Sequence, residues 1–392
     1  MCVEPIVVVG MGAVSALGNG VDRLWSGLLG GSRPFRPVAG FGVSACRVKI
    51  AAEVVRPFAK HGSCRSVDFG VVAAREALDA AGCDLKRDRI GLVMGSTAMG
   101  DAALEAALET ARPDPKMCVA SNKGLLANEF CQALGIRGPS QVINTACSSG
   151  ANAIVLACQG LQAGDYDTAL AVGCDEISRF TYSGFQSLRA LDPNPCRPFD
   201  TQRRGMTLGE GAGCVVLQRL RDARRYGQRI LGTIAGYGCA CDAHHLTAPD
   251  PQGRGAAIAI ERAVTMAGIG TRDIGFINAH GTGTPLNDAA EVAGIERALG
   301  GDARGCPVHS IKASTGHCLG AAGALEAVVA IMSLQQRLVP ATAGLVNSEF
   351  DGRVECVRGG PRPIDARFAL SNSFGFGGNN AALILAAADV LQ

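Results

Sequence analysis

The 392-residue chain lacks a strong net charge, because its 37 Lys and Arg residues nearly balance its 35 Asp and Glu residues. A net charge of +2 disfavours a protein that binds nucleic acid through its overall charge, since such domains are usually strongly basic. Only 18% of the residues are charged and 47% are hydrophobic, which excludes a disordered chain. At this length we expect two domains or one large α/β unit.

Several motifs that would assign a function are also missing. No Gly-x-x-x-x-Gly-Lys-[Ser/Thr] segment occurs, which excludes a P-loop, and no Cys-x-x-Cys pair occurs, which argues against a zinc knuckle. The N-terminus shows no basic segment followed by a cleavable apolar one. No unbroken apolar run reaches the roughly 18 residues of a membrane span. We therefore expect a soluble, cytoplasmic protein that binds neither nucleic acid nor a membrane.

Cysteine and glycine are abundant instead. The 16 cysteines are spread through apolar stretches and predict buried thiols in a reducing compartment rather than a disulfide scaffold. The 52 glycines follow no period, which excludes collagen and predicts many close backbone contacts. Gly10 and Gly12 follow a predicted strand and match part of a dinucleotide fingerprint. Because the third glycine is missing, we expect a tight strand–helix turn there rather than an NAD site.

Short apolar or β-branched runs alternate with helical patterns along the chain. The predicted strands are Ile6–Val9, Ile90–Met94, Gln141–Ile143, Thr168–Val172, Gly213–Leu217, Ile230–Ala235, Ile274–Asn278, Pro307–Ile311 and Phe368–Ser371. The predicted helices are Val67–Ala81, Leu125–Leu134, Ala151–Ala163, Ala256–Ala267, Asp288–Leu299 and Ala321–Gln336. This alternation predicts an α/β fold whose sheets are covered on both faces.

A weak internal repeat predicts two similar halves. Gln141–Gly150 has the pattern of a strand, a tight turn and a helix of small residues, and Val308–Gly320 has the same pattern before an Ala-rich helix. Such a duplication indicates two related units that face each other. We place the boundary in the charged stretch Arg219–Arg229, which divides the chain into domains 1–228 and 229–392.

Cys147 is the strongest candidate for a reactive side chain. It follows a predicted strand and opens a predicted helix, so the helix N-terminus should favour its thiolate. Its neighbours are small, which permits a sharp turn and close approach of a substrate. His280 and His317 each lie in a Gly- and Thr-rich turn after a strand. They are possible partners of a cysteine nucleophile. No His-Glu-x-x-His spacing indicates a metal site.

The chain resembles the elongating β-ketoacyl-acyl carrier protein synthases. The similar segments are Asn144–Gly150, Arg197–Asp200, Gly209–Gly213, Asn278–Asp288, Ser310–Gly323 and Asn372–Asn379. They occur in family order across nearly the whole chain. The resemblance implies a thiolase-like α/β fold, which is a five-layered αβαβα sandwich of two duplicated halves. It also implies a homodimer, with a heterodimer as the open alternative.

The resemblance assigns the catalytic roles. Cys147 would take the acyl chain from a carrier-protein thioester, and His280 and His317 would drive the decarboxylation of a malonyl unit. Lys312 and Glu326 would support the two histidines. Asp288 would belong to the same polar network.

The resemblance also assigns the substrate pocket. Phe376 would gate the pocket and supply one amide of an oxyanion hole, and Cys147 would supply the other. Thr282 and Thr284 would hold the phosphopantetheine arm. The remaining implied pocket residues are Ala98, at the end of the acyl pocket, and Phe185.

We expect no cofactor and no metal, because the carbonyl of a thioester is already activated. Phosphopantetheine arrives attached to the acyl carrier protein, which is the implied partner, and the substrates are acyl and malonyl thioesters. Arg65 and Lys116 are candidates for docking this acidic protein, since a net charge of +2 requires a local basic patch.

Two other functions compete with condensation. A non-catalytic partner that sets chain length in a heterodimeric synthase would keep the fold, but such partners usually lack the nucleophile. A thiolase would act on coenzyme A thioesters, but thiolases pair the nucleophile with one histidine and a second cysteine. The pathway stays open between fatty acid synthesis and polyketide or polyene synthesis. One departure from the family is Ala289, where many members have lysine.

Overall fold

The computed structural model describes residues 4–55, 60–83, 89–109 and 122–391. Its principal strands are β1 Ile6–Ser15, β2 Ile90–Gly95, β3 Ser140–Ile143, β4 Thr168–Asp175, β5 Gly211–Arg219, β6 Gly232–Cys241, β7 Ile274–Asn278, β8 Pro307–His309, β9 Phe368–Gly375 and β10 Asn379–Ala386. Two-residue strands occur at Gly18–Asn19, Arg36–Pro37, Ile50–Ala51, Leu338–Val339, Glu355–Cys356 and Arg362–Pro363.

The α-helices are α1 Val21–Leu29, α2 Arg65–Ala81, α3 Asp101–Leu108, α4 Lys123–Leu134, α5 Ser149–Ala163, α6 Arg179–Ser187, α7 Leu220–Arg225, α8 Arg254–Ala267, α9 Pro285–Leu299, α10 Lys312–Thr315 and α11 Ala322–Gln336. Short 3₁₀ helices occur at Thr271–Asp273, Gly300–Ala303, Leu319–Ala321, Phe376–Gly378 and Ala388–Leu391.

The sheet shows the predicted duplication. The first half has the strand order β1-β5-β4-β2-β3, and the second has the equivalent order β6-β10-β9-β7-β8. In both halves the first two pairings are antiparallel and the next two are parallel. The halves join where Ile6–Val8 of β1 pairs antiparallel with Gly232–Ile234 of β6. The chain passes from one half to the other between β5 and β6.

Helices cover both faces of each half. α2 packs on the outer face of the first half beside α4, and α8 packs on the outer face of the second half beside α9. α5 and α11 lie between the halves, where they contact each other and strands from both. The result is a sequence of five layers, αβαβα, which agrees with the predicted sandwich.

The region around α11 is buried although its composition would suit a membrane. Leu319–Gln336 is long enough and apolar enough to cross a bilayer, with a mean hydropathy of 1.3, but 89% of it is buried inside the protein. Glu326 lies within this stretch and is fully buried. The sequence showed no unbroken apolar run because polar residues such as this one interrupt it. The stretch is the central core helix of the fold.

The two glycines near the N-terminus have a different role from the one predicted. Gly10 and Gly12 lie inside β1 and form no strand–helix turn. A Cβ atom on Gly10 would lie 2.0 Å from the carbonyl oxygen of Ala77, and one on Gly12 would lie 1.9 Å from that of Ala73. Both glycines therefore allow β1 to pack directly against the backbone of α2.

Candidate active site

Three buried side chains from the two halves of the molecule meet in one cavity. The cysteine sulfur of Cys147 and one ring nitrogen from each of His280 and His317 lie within 4.8 Å of one another. The two imidazole rings pack edge to face, with centroids 5.3 Å apart. All three residues line a cavity of about 250 Å³. The structure thus brings together the residues that the sequence motifs singled out.

The turn that carries Cys147 is strained and tightly bonded. Ala146 adopts a left-handed backbone conformation with φ of 53°, which costs energy for a residue with a side chain. The hydroxyl of Ser149 donates to the carbonyl oxygen of Ala146 at 2.6 Å and accepts from the N–H of Thr145 at 2.9 Å. These bonds fix Cys147 directly before the first turn of α5, where its sulfur reaches the cavity.

Burial sets the protonation of the nucleophile. The pKa of Cys147 is raised to about 11, mainly by loss of solvent and to a smaller extent by the nearby carboxyl of Asp175. The charge of Lys312 and the backbone N–H groups of Phe376 and Cys147 act in the opposite direction. Desolvation therefore outweighs the expected effect of the helix N-terminus. Cys147 is therefore held as a thiol at neutral pH.

The tautomer of His280 is fixed by a lysine. Nζ of Lys312 lies 3.2 Å from Nδ1 of His280 and also bonds to the carboxylate of Glu326, which projects from α11. An ammonium can only donate, so Nδ1 accepts and the ring proton resides on Nε2. Burial and the charge of Lys312 hold the pKa of His280 well below its usual range. The ring is neutral.

The tautomer of His317 is fixed by the backbone. The N–H of Leu319 donates to Nδ1 of His317 at 3.1 Å, so this ring also carries its proton on Nε2. Within the described part of the chain, that Nε2 has no hydrogen-bond partner. Burial and Lys312 hold the pKa of His317 well below its usual range. The site therefore offers two neutral imidazole donors.

The same three side chains have the composition of a zinc site, which uses cysteine and histidine ligands. The fixed tautomers disfavour this use. A ligating imidazole needs a lone pair on the nitrogen that faces the metal, whereas the lone pairs of His280 and His317 face Lys312 and the Leu319 amide. The cluster fits a developing negative charge better than a cation.

Two acids on α9 hold the loop of His280. Glu291 accepts the N–H groups of His280 and Gly281 at 2.8 and 2.7 Å. Asp288 accepts the N–H groups of Thr282 and Gly283 at 3.1 Å. Its place in the polar network of Lys312 and Glu326 stays a prediction.

Sequence reasoning assigned no role to Glu291. The signal that could have found its supporting role is the spacing of three between Asp288 and Glu291 at the start of a helix. This spacing places both carboxylates on the side of α9 that faces the histidine loop. Burial raises the pKa of Glu291 to about 7.

The implied gate and the implied binding threonines lie around the same cavity. Phe376, Thr282 and Thr284 line it together with Cys147. The two threonine hydroxyls are 2.9 Å apart. The ring of Phe185 packs against that of Phe376, with centroids 5.5 Å apart.

The other predicted residues lie elsewhere. Ala98 is 1% exposed and packs in a hydrophobic cluster with Tyr182 and Leu208, outside the described lining of the catalytic cavity. Arg65 is half exposed and forms an ion pair with the buried carboxylate of Glu210. Lys116 lies outside the described residues.

Comparison with known proteins decides the family. The family model described as the N-terminal domain of β-ketoacyl synthase matches residues 64–223, and the C-terminal domain model matches residues 231–346. The chain belongs to the β-ketoacyl synthase family. It is 37% identical to 3-oxoacyl-[acyl-carrier-protein] synthase 2 of Synechocystis sp., over 96% of this chain and 97% of that protein. The protein of the same name from Vibrio cholerae is 35% identical, over 97% and 98%.

Solved structures confirm the thiolase-like fold of this β-ketoacyl synthase. The ishigamide ketosynthase/chain length factor superposes with a TM-score of 0.92 and 31% identity, covering 98% of this chain and 99% of that one. A β-ketoacyl synthase from Burkholderia phymatum superposes with a TM-score of 0.88 and 28% identity, covering 98% and 100%.

Proposed function

We propose that the protein is a β-ketoacyl-acyl carrier protein synthase, an acyltransferase that extends a Cys147-bound acyl chain with a malonyl unit. One observation carries this assignment. A buried thiol and two neutral imidazoles with their protons on Nε2 share one cavity. Acyl transfer needs the thiol, and decarboxylation needs donors where an enolate oxygen develops.

The first step is transfer of the acyl chain. The sulfur of Cys147 attacks the carbonyl carbon of the incoming thioester, and a new carbon–sulfur bond forms while the bond to the pantetheine sulfur breaks. The proton of the Cys147 thiol ends on the departing pantetheine sulfur. The backbone N–H groups of Cys147 and Phe376 point at the cysteine sulfur. We propose that they stabilise the oxyanion beside it.

The second step is decarboxylation and condensation. The bond between the malonyl carboxylate and its methylene carbon breaks, carbon dioxide leaves, and the electron pair forms an enolate. Nε2–H of His280 and of His317 donate to the enolate oxygen. The enolate carbon then attacks the thioester carbonyl on Cys147, whose sulfur leaves and takes a proton from solvent. This restores the thiol that the raised pKa favours.

The implied partner is an acyl carrier protein. We propose that its phosphopantetheine arm enters the cavity beside Thr282 and Thr284, which line it together with Cys147. The reaction as written uses no dissociable cofactor and no metal. We also propose that the enzyme acts in the cytoplasm, in fatty acid or polyketide synthesis.

We propose that the enzyme works as a homodimer. Strand β3 ends the described sheet and pairs only with β2, so its outer edge can accept a strand from a second copy. Two large apolar side chains on the neighbouring helices α6 and α3 are also exposed to solvent, namely Phe180 at 74% and Leu108 at 60%. A heterodimer is the alternative, since one structural relative is described as the ishigamide ketosynthase/chain length factor.

The geometry disfavours the two competing functions. A non-catalytic chain-length partner has no need of the complete cluster around Cys147. A thiolase needs a second cysteine in the site, but Cys318, which follows His317, directs its sulfur at the carbonyl oxygens of Thr315 and Glu210.

Intact-protein mass spectrometry with a panel of acyl carrier proteins tests the proposal. We expect an acyl adduct on the wild-type enzyme that is absent from Cys147→Ser, and a β-ketoacyl product when malonyl carrier protein is added. No acylation with any donor would favour the chain-length partner. Acylation from coenzyme A thioesters, followed by condensation without malonyl units, would favour a thiolase.

A further inference from the structure

Two strained turns present the catalytic side chains. Ala146, which precedes Cys147, has φ of 53°, and Leu319, which bonds His317, has φ of 52°. Ala146 lies three residues before α5 begins at Ser149, and Leu319 lies three residues before α11 begins at Ala322. Left-handed backbone at residues with side chains persists only where neighbouring groups hold it.

One buried carboxylate, at the end of β4, accepts hydrogen bonds from residues that support both turns. Asp175 is fully buried. Its Oδ1 accepts from the hydroxyl of Ser96 at 2.6 Å and from the N–H of Ala98 at 2.8 Å. Its Oδ2 accepts from the N–H of Thr97 at 2.9 Å and from the N–H of Gly320 at 2.6 Å.

These contacts connect the two catalytic turns. Gly320 directly follows Leu319 in the turn of His317. On the other side, the hydroxyl of Thr97 donates to the carbonyl oxygen of Ala146 at 3.0 Å. A continuous path of hydrogen bonds therefore runs from the Cys147 turn through Thr97 and Asp175 to the His317 turn. The path joins the first half of the fold to the second.

We propose that Asp175 is a positioning residue that holds the Cys147 turn and the His317 turn at the spacing needed for condensation. This inference rests on the proposed function. The carboxylate suits the task because both of its oxygens accept hydrogen bonds, whereas an amide offers only one acceptor. In Asp175→Asn, the new NH₂ group would face either the N–H groups of Thr97 and Gly320 or the donors of Ser96 and Ala98. The first orientation breaks both links of the path, and the second loosens the segment that carries Thr97.

The charge of Asp175 supplies a readout that a purely structural residue would not give. Among the described residues, His280 and His317 lie beside the sulfur of Cys147, and the charges of Lys312 and Asp175 act on it. Asp175 supplies a negative charge and opposes ionisation of the thiol. Its removal should make Cys147 easier to ionise even though the enzyme becomes slower.

The experiment compares Asp175→Asn with the matched control Asp68→Asn. Asp68 is a buried aspartate of α2 that accepts the N–H groups of His61 and Gly62, away from both catalytic turns. For Asp175→Asn we expect kcat for condensation to fall by roughly 10²-fold, as misplacement of a catalytic group typically costs. KM for carrier-bound substrate should be unchanged. The pH midpoint of Cys147 alkylation by iodoacetamide should fall.

Thr97→Val separates position from charge and decides the question if Asp175→Asn does not fold. It removes the hydroxyl that bonds Ala146 but leaves the N–H that bonds Asp175. We expect kcat to fall while the alkylation midpoint stays at the wild-type value, and Thr97→Ser to restore kcat.

A folded Asp175→Asn variant with wild-type kcat and wild-type alkylation midpoint would overturn the proposal, as would wild-type kcat in Thr97→Val. If the wild-type enzyme itself does not condense, the proposed function fails. The alkylation midpoint of Asp175→Asn still reports on the electrostatic link to Cys147.

Discussion

Lys312 contacts His280 and Glu326 at the same time, with its Nζ 3.2 Å from Nδ1 of the imidazole. The lysine is 1% exposed and the glutamate 0%. A buried cation beside an imidazole disfavours the imidazolium, so the lysine keeps His280 neutral while the glutamate balances the charge. The central helix α11 thus contributes Glu326 to the polar network beside His280.

Replacement of this lysine should change the pH profile. In Lys312→Met we expect the pKa of His280 to rise, because a neighbouring positive charge is lost and a carboxylate is left beside the ring. The reaction as proposed uses neutral His280, and a higher pKa means that the ring becomes protonated at a higher pH. The acidic limb of the pH–rate profile for malonyl decarboxylation should therefore move to higher pH. Rates measured between pH 5 and 9 check this.

Two further variants control the lysine experiment. Lys312→Arg keeps the charge, so its acidic limb should stay close to wild type. Breaking a buried ion pair costs about 3–5 kcal/mol, so Lys312→Met should melt at a lower temperature, and Lys312→Met/Glu326→Gln should recover part of the loss. An unchanged acidic limb in a folded Lys312→Met variant would contradict the role of the lysine.

Two substitutions of the nucleophile should separate acyl transfer from decarboxylation. Cys147→Ser keeps the volume but replaces a thiol by a poor nucleophile, so we expect no acyl-enzyme and no condensation with the fold intact. Cys147→Gln places an amide where the acyl thioester would lie, so it should keep or increase carbon dioxide release from malonyl carrier protein without condensation. Acylation at wild-type rate in the serine variant would assign the nucleophile elsewhere.

The two histidines should matter more for decarboxylation than for acyl transfer. His280→Ala and His317→Ala each remove one neutral donor, and loss of an oxyanion donor typically costs about 10²–10³ in rate. Acylation with a labelled donor in the absence of malonyl substrate isolates the first step, which we expect to fall much less. Equal loss of both steps would show that the histidines chiefly activate the thiol or hold the fold.

Ala98 allows a test of the predicted end of the acyl pocket. It is 1% exposed, and its N–H is held by Asp175. In Ala98→Phe we expect a lower melting temperature, since overpacking costs about 1–3 kcal/mol. If the side chain bounds the acyl pocket, short acyl chains are still condensed and longer ones are lost. An unchanged chain-length preference in a folded variant would place the end of the pocket elsewhere.

Periodicity predicted most of the framework of the fold but not all strand limits. The predicted strand Ile274–Asn278 coincides with β7. The predicted strand Pro307–Ile311 extends two residues beyond the end of β8. β1 was predicted to end at Val9 because Gly10 and Gly12 resemble a turn, yet the strand continues to Ser15. These glycines let β1 contact α2. That contact depends on tertiary packing, which leaves no local pattern in the sequence.

Some residues of the site could also be predicted from the sequence, and others could not. Cys147, His280 and His317 could be found because each lies in a distinctive turn of small residues. Asp175 could not, because a carboxylate at the end of a strand usually faces solvent, and Glu291 could be found only through its spacing from Asp288. The thiolate expected at the start of α5 was also wrong, because burial cannot be read from the local sequence. The helix was visible in the sequence, but the burial that raises the pKa of Cys147 to about 11 was not.

The position of β1 between the two halves delays its completion during synthesis. Ile6 pairs with Arg219 on one side and with Ile234 on the other, so both partners emerge from the ribosome about two hundred residues later. Pairings so distant in sequence make folding slow. Until they form, the apolar run Ile6–Val9 is an unpaired strand of the kind that aggregates. The seam that joins the halves therefore leaves an aggregation-prone strand unpaired until synthesis has passed Ile234.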